Sequence, residues 1–114
     1  MKTRRGEKKL SDRMLEVVAA RFRILGEPQR LRILQVLQSG EMSVSEIVEA
    51  VGGQQSNTSR HLQALFDAAM VGRRRAGASV IYWISDPDVF RLCEIVCHSA
   101  EQEAVRSLAE LKGR

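Results

Sequence analysis

The run from Ser43 to Ile84, SVSEIVEAVGGQQSNTSRHLQALFDAAMVGRRRAGASVIYWI, decides the fold. Ser43 and Glu46 form an S-x-x-E capping box, which opens a short helix expected to bury Ile47, Ala50 and Val51. Gly52-Gly53 ends it in a turn. The helix that follows divides into two parts. Gln54, Gln55, Ser56, Asn57, Thr58, Ser59 and Arg60 carry almost no apolar surface, whereas Leu62, Leu65, Phe66, Ala69 and Met70 recur at helical spacing. Arg73, Arg74 and Arg75 then lead through Ala76-Gly77-Ala78-Ser79 into Val80-Ile81-Tyr82-Trp83-Ile84, whose β-branched and aromatic residues predict a β-hairpin.

Outside this run the pattern is helical. Residues 1–10 have little apolar content and read as a flexible basic arm; residues 11–114 read as one folded unit. The first helix starts at an N-cap, Ser11, and places Met14, Leu15, Val18 and Phe22 at helical spacing before Gly26 stops it. Pro28 suits the first turn of a second helix, whose Leu31, Ile33, Leu34, Val36 and Leu37 cover too wide an arc for a surface helix and predict the central core element. A last helix runs from about Asp86 to Leu111. The fold class is therefore mainly α with a small β-hairpin: a winged helix-turn-helix of about five helices that dimerises through its terminal helices.

Charge narrows the partner. The chain carries a net +4, but residues 1–10 hold +4 and residues 54–84 hold +3, while the remaining two stretches are slightly acidic. Positive charge thus collects on the arm, where Lys2, Arg4, Arg5, Lys8 and Lys9 lie, and on the polar helix with its hairpin, as a polyanion partner requires. No apolar run approaches the ~20 residues that span a bilayer, and no apolar signal region follows the basic start, so a cytoplasmic protein is expected. Ser56, Ser59 and His61 lie close together without a glycine-rich elbow or an oxyanion-hole motif, which argues against an enzyme.

The polar helix start fits double-stranded DNA. Gln55 and Asn57 can pair with adenine edges, Arg60 with guanine or phosphate, and Ser56 and Ser59 with either, all from the helix end that enters a major groove. Arg73, Arg74 and Arg75 are expected to meet phosphates, although strand alternation turns only part of the run outward and leaves at least one arginine structural or solvated. Tyr82 and Trp83 read as packing residues. A winged helix used only as a protein-interaction module is the competing reading; it predicts weak duplex binding that ignores sequence.

The strings LRILQVL, EMSVSEIVEAV, SxxSRHLxAL and RRRAGASVIYWI, in this order, resemble the ArsR/SmtB family of small winged-helix transcriptional repressors over Phe22 to Val96. The resemblance implies a homodimer on inverted half-sites that represses until an inducer, often a metal ion, metalloid or thiol-reactive species, releases it. It also implies that Ser56, Ser59, Arg60 and His61 belong to the recognition helix. Two residues depart from the family pattern: Gln54 stands at a common serine and Ala69 at a common glycine. The family's Cys-x-Cys metal site reads Ser43-Val44-Ser45 here, and serine hydroxyls replace thiolates poorly. Its interfacial Asp-x-His and His-x-x-Glu set reads Asp86-x-Asp88 and Ser99-x-x-Gln102, so of those ligands only Asp86 remains.

Two features bear on assembly and sensing. The last helix carries apolar residues over ~25 positions, about 38 Å, more than one small domain can cover, and a second subunit would cover the remainder. The dimer is thus expected to pair this helix, together with the first, across a two-fold axis. On it Cys93 and Cys97 stand i, i+4, on one face, as effector candidates for a soft metal, As(III), or an oxidant or persulfide. The same pair also reads as small hydrophobes filling the interface of a constitutive repressor. No cofactor is required on either reading, and no metal site is assigned.

Overall fold

The computed structural model describes residues 9–113. The elements are α1 (Asp12–Leu25), α2 (Pro28–Leu37), β1 (Met42–Ser43), α3 (Val44–Val51), α4 (Gln55–Asp67), β2 (Val71–Ala76), β3 (Ser79–Ile84) and α5 (Pro87–Lys112). Of the basic arm expected over residues 1–10, all but the last two positions lie outside the described residues. No helix of the described residues is long and apolar enough to cross a membrane.

Local chemistry sets the helix ends. Ser11 Oγ accepts from the Met14 N–H at 3.1 Å and starts α1. In the capping box of α3, Ser43 Oγ accepts from the Glu46 N–H at 3.2 Å and Glu46 Oε1 accepts from the Ser43 N–H at 2.9 Å. The Ser43 backbone N–H, and after it the Ser43 hydroxyl, hold the Glu46 carboxyl below its ordinary range. Helix α3 ends on Gly52 in the left-handed conformation, φ 72°.

Helix α4 ends differently. The Met70 N–H donates to the Leu65 carbonyl at 3.0 Å and the Ala69 N–H to the Phe66 carbonyl at 2.9 Å, the Schellman pattern. It requires a left-handed residue between them, and Ala69 takes that conformation, with φ 59°. Here a Cβ costs on the order of 1 kcal/mol that glycine would not. Met70 and Leu65, the residues bracketing the motif, are both fully buried, and their packing offsets that strain.

The expected hairpin is present, but as part of a three-stranded antiparallel sheet of order β1-β3-β2. Its two-residue turn has Gly77 at φ 63° followed by Ala78, the arrangement of a type II′ turn. The added strand, β1, pairs Met42 with Tyr82 and Ser43 with Ile81. Two residues carry no readable alternation. Because Ser43 is both the last residue of β1 and the N-cap of α3, sheet register and helix start are one constraint. Trp83 packs directly on Gly72, where an added Cβ would lie 2.5 Å from the indole.

The core gathers Ile33, Leu34 and Leu37 of α2, Ile47 and Val51 of α3, Leu62 and Leu65 of α4, and Met70, Val71 and Tyr82 around the sheet. Leu31, grouped with the core in the sequence, is exposed, and Val36 is only half-buried. Ala50 is exposed as well, because the core-facing line of this short helix is the i, i+4 pair Ile47 and Val51. Leu25 is the only buried residue of α1, and α5 buries none.

His61 also corrects the sequence reading. Expected on the DNA-facing surface, it is 4% exposed, on the same arc as the buried Thr58, Leu62 and Leu65. Its Nδ1 accepts from Arg30 Nε at 3.1 Å, and Arg30 also donates to the Ile24 carbonyl at 3.3 Å, joining the end of α1, α2 and α4. Burial, then Arg30 and Arg60, push the His61 pKa below its ordinary value, opposed by Glu27.

Since the folded-state value is the lowered one, the unfolded chain takes up the proton first as pH falls. The contribution of neutral His61 is therefore complete above the ordinary value of 6.5 and is lost as pH falls through the folded value. Urea midpoints taken from about pH 8 to about pH 5 should fall for the wild type below that ordinary value. His61→Gln keeps an acceptor for Arg30 without a titrating ring, and its midpoint should fall less; equal slopes for the two proteins would contradict the assignment.

Candidate nucleic-acid interface

With its inner face sealed, α4 has one face left. Gln55, Ser56, Ser59, Arg60 and Gln63 are exposed along it. At ~100° per residue they span an arc of about 140° with Gln63 near its centre. Gln54, the N-cap residue, is exposed and makes no side-chain cap hydrogen bond. Asn57 sits at the margin, half-buried, and its Oδ1 accepts from Arg60 Nη2 at 2.6 Å. The polar end therefore presents amides, hydroxyls and one guanidinium on a rigid helix, whereas His61 faces the core.

The three wing arginines have separate surroundings. Arg73 lies opposite Tyr82 in the sheet and stacks on α4, its Cζ 3.8 Å from the centroid of Phe66. Its Nη1 donates to Gln63 Oε1 at 2.7 Å and, more weakly, to the Tyr82 hydroxyl at 3.4 Å. Of the two roles that strand alternation left open, structural or solvated, Arg73 takes the structural one. Arg74, on the opposite sheet face, pairs with Glu41 Oε1 at 2.6 Å. Both side chains are about half exposed, so the pair contributes about 0–1 kcal/mol and gives way readily to a stronger anion. Arg75 has no side-chain hydrogen bond or ion pair among the described residues.

Sequence reasoning missed Gln63, Asp67 and Glu41. Gln63 was within reach, since it lies i+4 from Ser59 and i+3 from Arg60 on one helical face. Glu41 was not, because only the tertiary fold brings it to Arg74.

The two cysteines lie away from this surface. Cys93 and Cys97 line a groove of about 460 Å³ between α2 and α5, together with Leu31, Leu34, Phe90 and His98. Cys93 is half-buried, and burial together with the neighbouring Cys97 raises its pKa; Cys97 is exposed. Among the described residues no group of three or more His, Cys, Asp or Glu side chains is placed to hold a metal ion. Asp86, the ligand left from the family's interfacial set, is engaged elsewhere. Its Oδ1 caps α5 at the Asp88 and Val89 N–H groups, and its Oδ2 pairs with Arg21 at 3.1 Å. Arg21 also donates to the Ala68 carbonyl at 3.2 Å, so this carboxylate clamps α1, the end of α4 and the start of α5.

Comparison with known proteins agrees with this geometry. Residues 27–71 match the family described as "Bacterial regulatory protein, arsR family". A probable mercury resistance operon repressor of Streptomyces lividans is 37% identical over 90 residues, 78% of this chain and 72% of the relative. Among solved structures, a homodimeric winged helix-turn-helix DNA-binding domain from Mycobacterium bovis superposes with a TM-score of 0.73 at 35% identity, covering 86% of this chain and 94% of that one. The AntR antimony-specific transcriptional repressor gives 0.75 at 31% identity, covering 87% and 91%. A mainly helical chain with a polar recognition helix, an arginine-bearing wing and these relatives belongs to the bacterial ArsR family of DNA-binding transcription regulators.

Proposed function

We propose that this chain works as a homodimeric repressor that reads an operator of two inverted half-sites. Gln54, Gln55, Ser56, Asn57, Ser59 and Arg60 meet base edges and the adjoining backbone, and Arg74 and Arg75 meet phosphates. The observation that carries this reading is the Arg73–Gln63 contact, which sets the arginine wing beside the exposed polar face of α4. Base-reading amides and phosphate-binding guanidiniums thereby share one surface. Acting on chromosomal DNA would place the protein in the cytoplasm.

The terminal helices support the two-fold assembly. Phe22 on α1 is 54% exposed, and Val105 and Leu111 on α5 are 64% and 69% exposed. The radius of gyration, 17.8 Å, exceeds the ~13 Å of a compact chain of this size, because these helices project from the core. A partner that buries them would set two recognition helices about one DNA turn apart, ~34 Å.

Affinity and preference should respond to different residues. Arg75→Ala should reduce the slope of log affinity against log salt by about one while leaving the preference for operator over random duplex intact. Gln55→Ala should leave the slope alone and lower the preference about tenfold or more. Titrations of both duplexes at several salt concentrations check this; weak binding that ignores sequence would favour the interaction-module reading.

Release is assigned to Cys93 and Cys97, because the groove exposes one thiol and places the other on the same wall. The inducer class is a soft metal ion, As(III), or an oxidant or persulfide. Arsenite, Zn(II) and a persulfide donor should be titrated against the operator complex. At least one should release the wild type and fail on the Cys93→Ser/Cys97→Ser variant. Unchanged affinity of the wild type under all three would leave a constitutive repressor in which the thiols only pack.

A further inference from the structure

The amide of Gln63 is committed at both ends. Its Nε2 donates to Asp67 Oδ1 at 2.8 Å, and its Oε1 accepts from Arg73 Nη1 at 2.7 Å. The guanidinium of Arg73 in turn stacks on Phe66 and reaches the Tyr82 hydroxyl. A single chain of contacts, Asp67–Gln63–Arg73–Tyr82, thus links two turns of α4 to both strands of the wing. Met70, which the chain crosses between these elements, is locked in the core with Val71 and Tyr82, so α4 and β2 join at a fixed point and the hairpin from Arg73 outward is its exposed part.

From this geometry we infer that Gln63 and Arg73 are positioning residues that set the angle of the wing to the recognition helix, and that neither reads DNA itself. A glutamine at the centre of an exposed recognition face would ordinarily contact a base edge. Here Nε2 and Oε1 each already hold a partner within the protein; one N–H and one oxygen lone pair stay open, but the amide cannot turn toward a base without breaking a contact. Arg73 is the one wing arginine whose cation is covered by an aromatic ring, and its partners, a ring face and a directed acceptor, suit a planar guanidinium. A lysine at the same position would keep the charge and lose the fit. Asp67 orients the amide, so that Oε1 and not Nε2 faces the arginine. Phosphate contact then falls to Arg75 and to Arg74 once Glu41 is displaced, and their placement depends on the strut.

The inference rests on the DNA-reading role proposed above, so its test has an arm without DNA. In the free protein, amide hydrogen exchange across residues 74–80 should quicken about tenfold in both Gln63→Ala and Arg73→Lys, with exchange in α2 and α3 unchanged. On duplex DNA both variants should lose about tenfold in preference for operator over random sequence at an unchanged salt slope. The double variant should be no worse than the weaker single, because each change breaks the same chain. Wild-type exchange in the two variants overturns the strut, as does full retention of preference by Arg73→Lys with a salt slope lowered by about one in Arg73→Ala. Absence of sequence preference in the wild type would instead fail the DNA-reading role, and the exchange arm would still decide the strut.

Discussion

The inner face of α4 ties the helices to the sheet and holds the recognition helix in place. Thr58, His61, Leu62 and Leu65 are buried there against α2, α3 and the sheet, with Leu62 and Leu65 entirely inaccessible. Each such aliphatic side chain contributes ~1.5–3 kcal/mol on burial, whereas the missing side-chain cap at Gln54 costs about 1 kcal/mol. Packing therefore outweighs capping, and the helix can keep a first turn chosen for what it presents instead of for its own stability. Arg30 completes the arrangement. It satisfies the one imidazole on the buried arc and ties it to the end of α1.

Much of this was legible in the sequence, for identifiable reasons. The capping box at Ser43, the glycine stop at Gly52 and the proline start at Pro28 are local signals, and each marks an element end in the structure. The apolar spacing of α4 located its buried face, yet the polar identity of His61 concealed that it lies on that face. The position was readable at i+3 from Thr58 and i−4 from Leu65; the hydrogen bond that makes burial tolerable was not, since Arg30 comes from another helix. The strand β1 escaped for a different reason: two residues have no period, and their pairing with β3 exists only once the chain has folded back. At the wing, alternation implied that at least one arginine would be structural or solvated, but only the register opposite Tyr82 and the ring of Phe66 show that Arg73 is structural.

The reading surface and the proposed release site occupy separate parts of the molecule. The polar face of α4 and the wing lie on one part, joined through Gln63; the thiols of Cys93 and Cys97 lie in the groove between α2 and α5. Between them stands the clamp formed by Arg21, Asp86 and the Ala68 carbonyl, which connects the end of the recognition helix to the start of α5. Helix α5 also has apolar side chains left uncovered by its own domain, so the proposed dimer contact and the proposed release site share one element.

Whether the protein reads sequence as a two-fold dimer can be decided by selection from a random duplex pool followed by sequencing. A dimer with two symmetric recognition helices should enrich two half-sites related by inversion, with centres about 10–10.5 base pairs apart or a multiple of that. Enrichment of a lone half-site, or no enrichment at all, would contradict it.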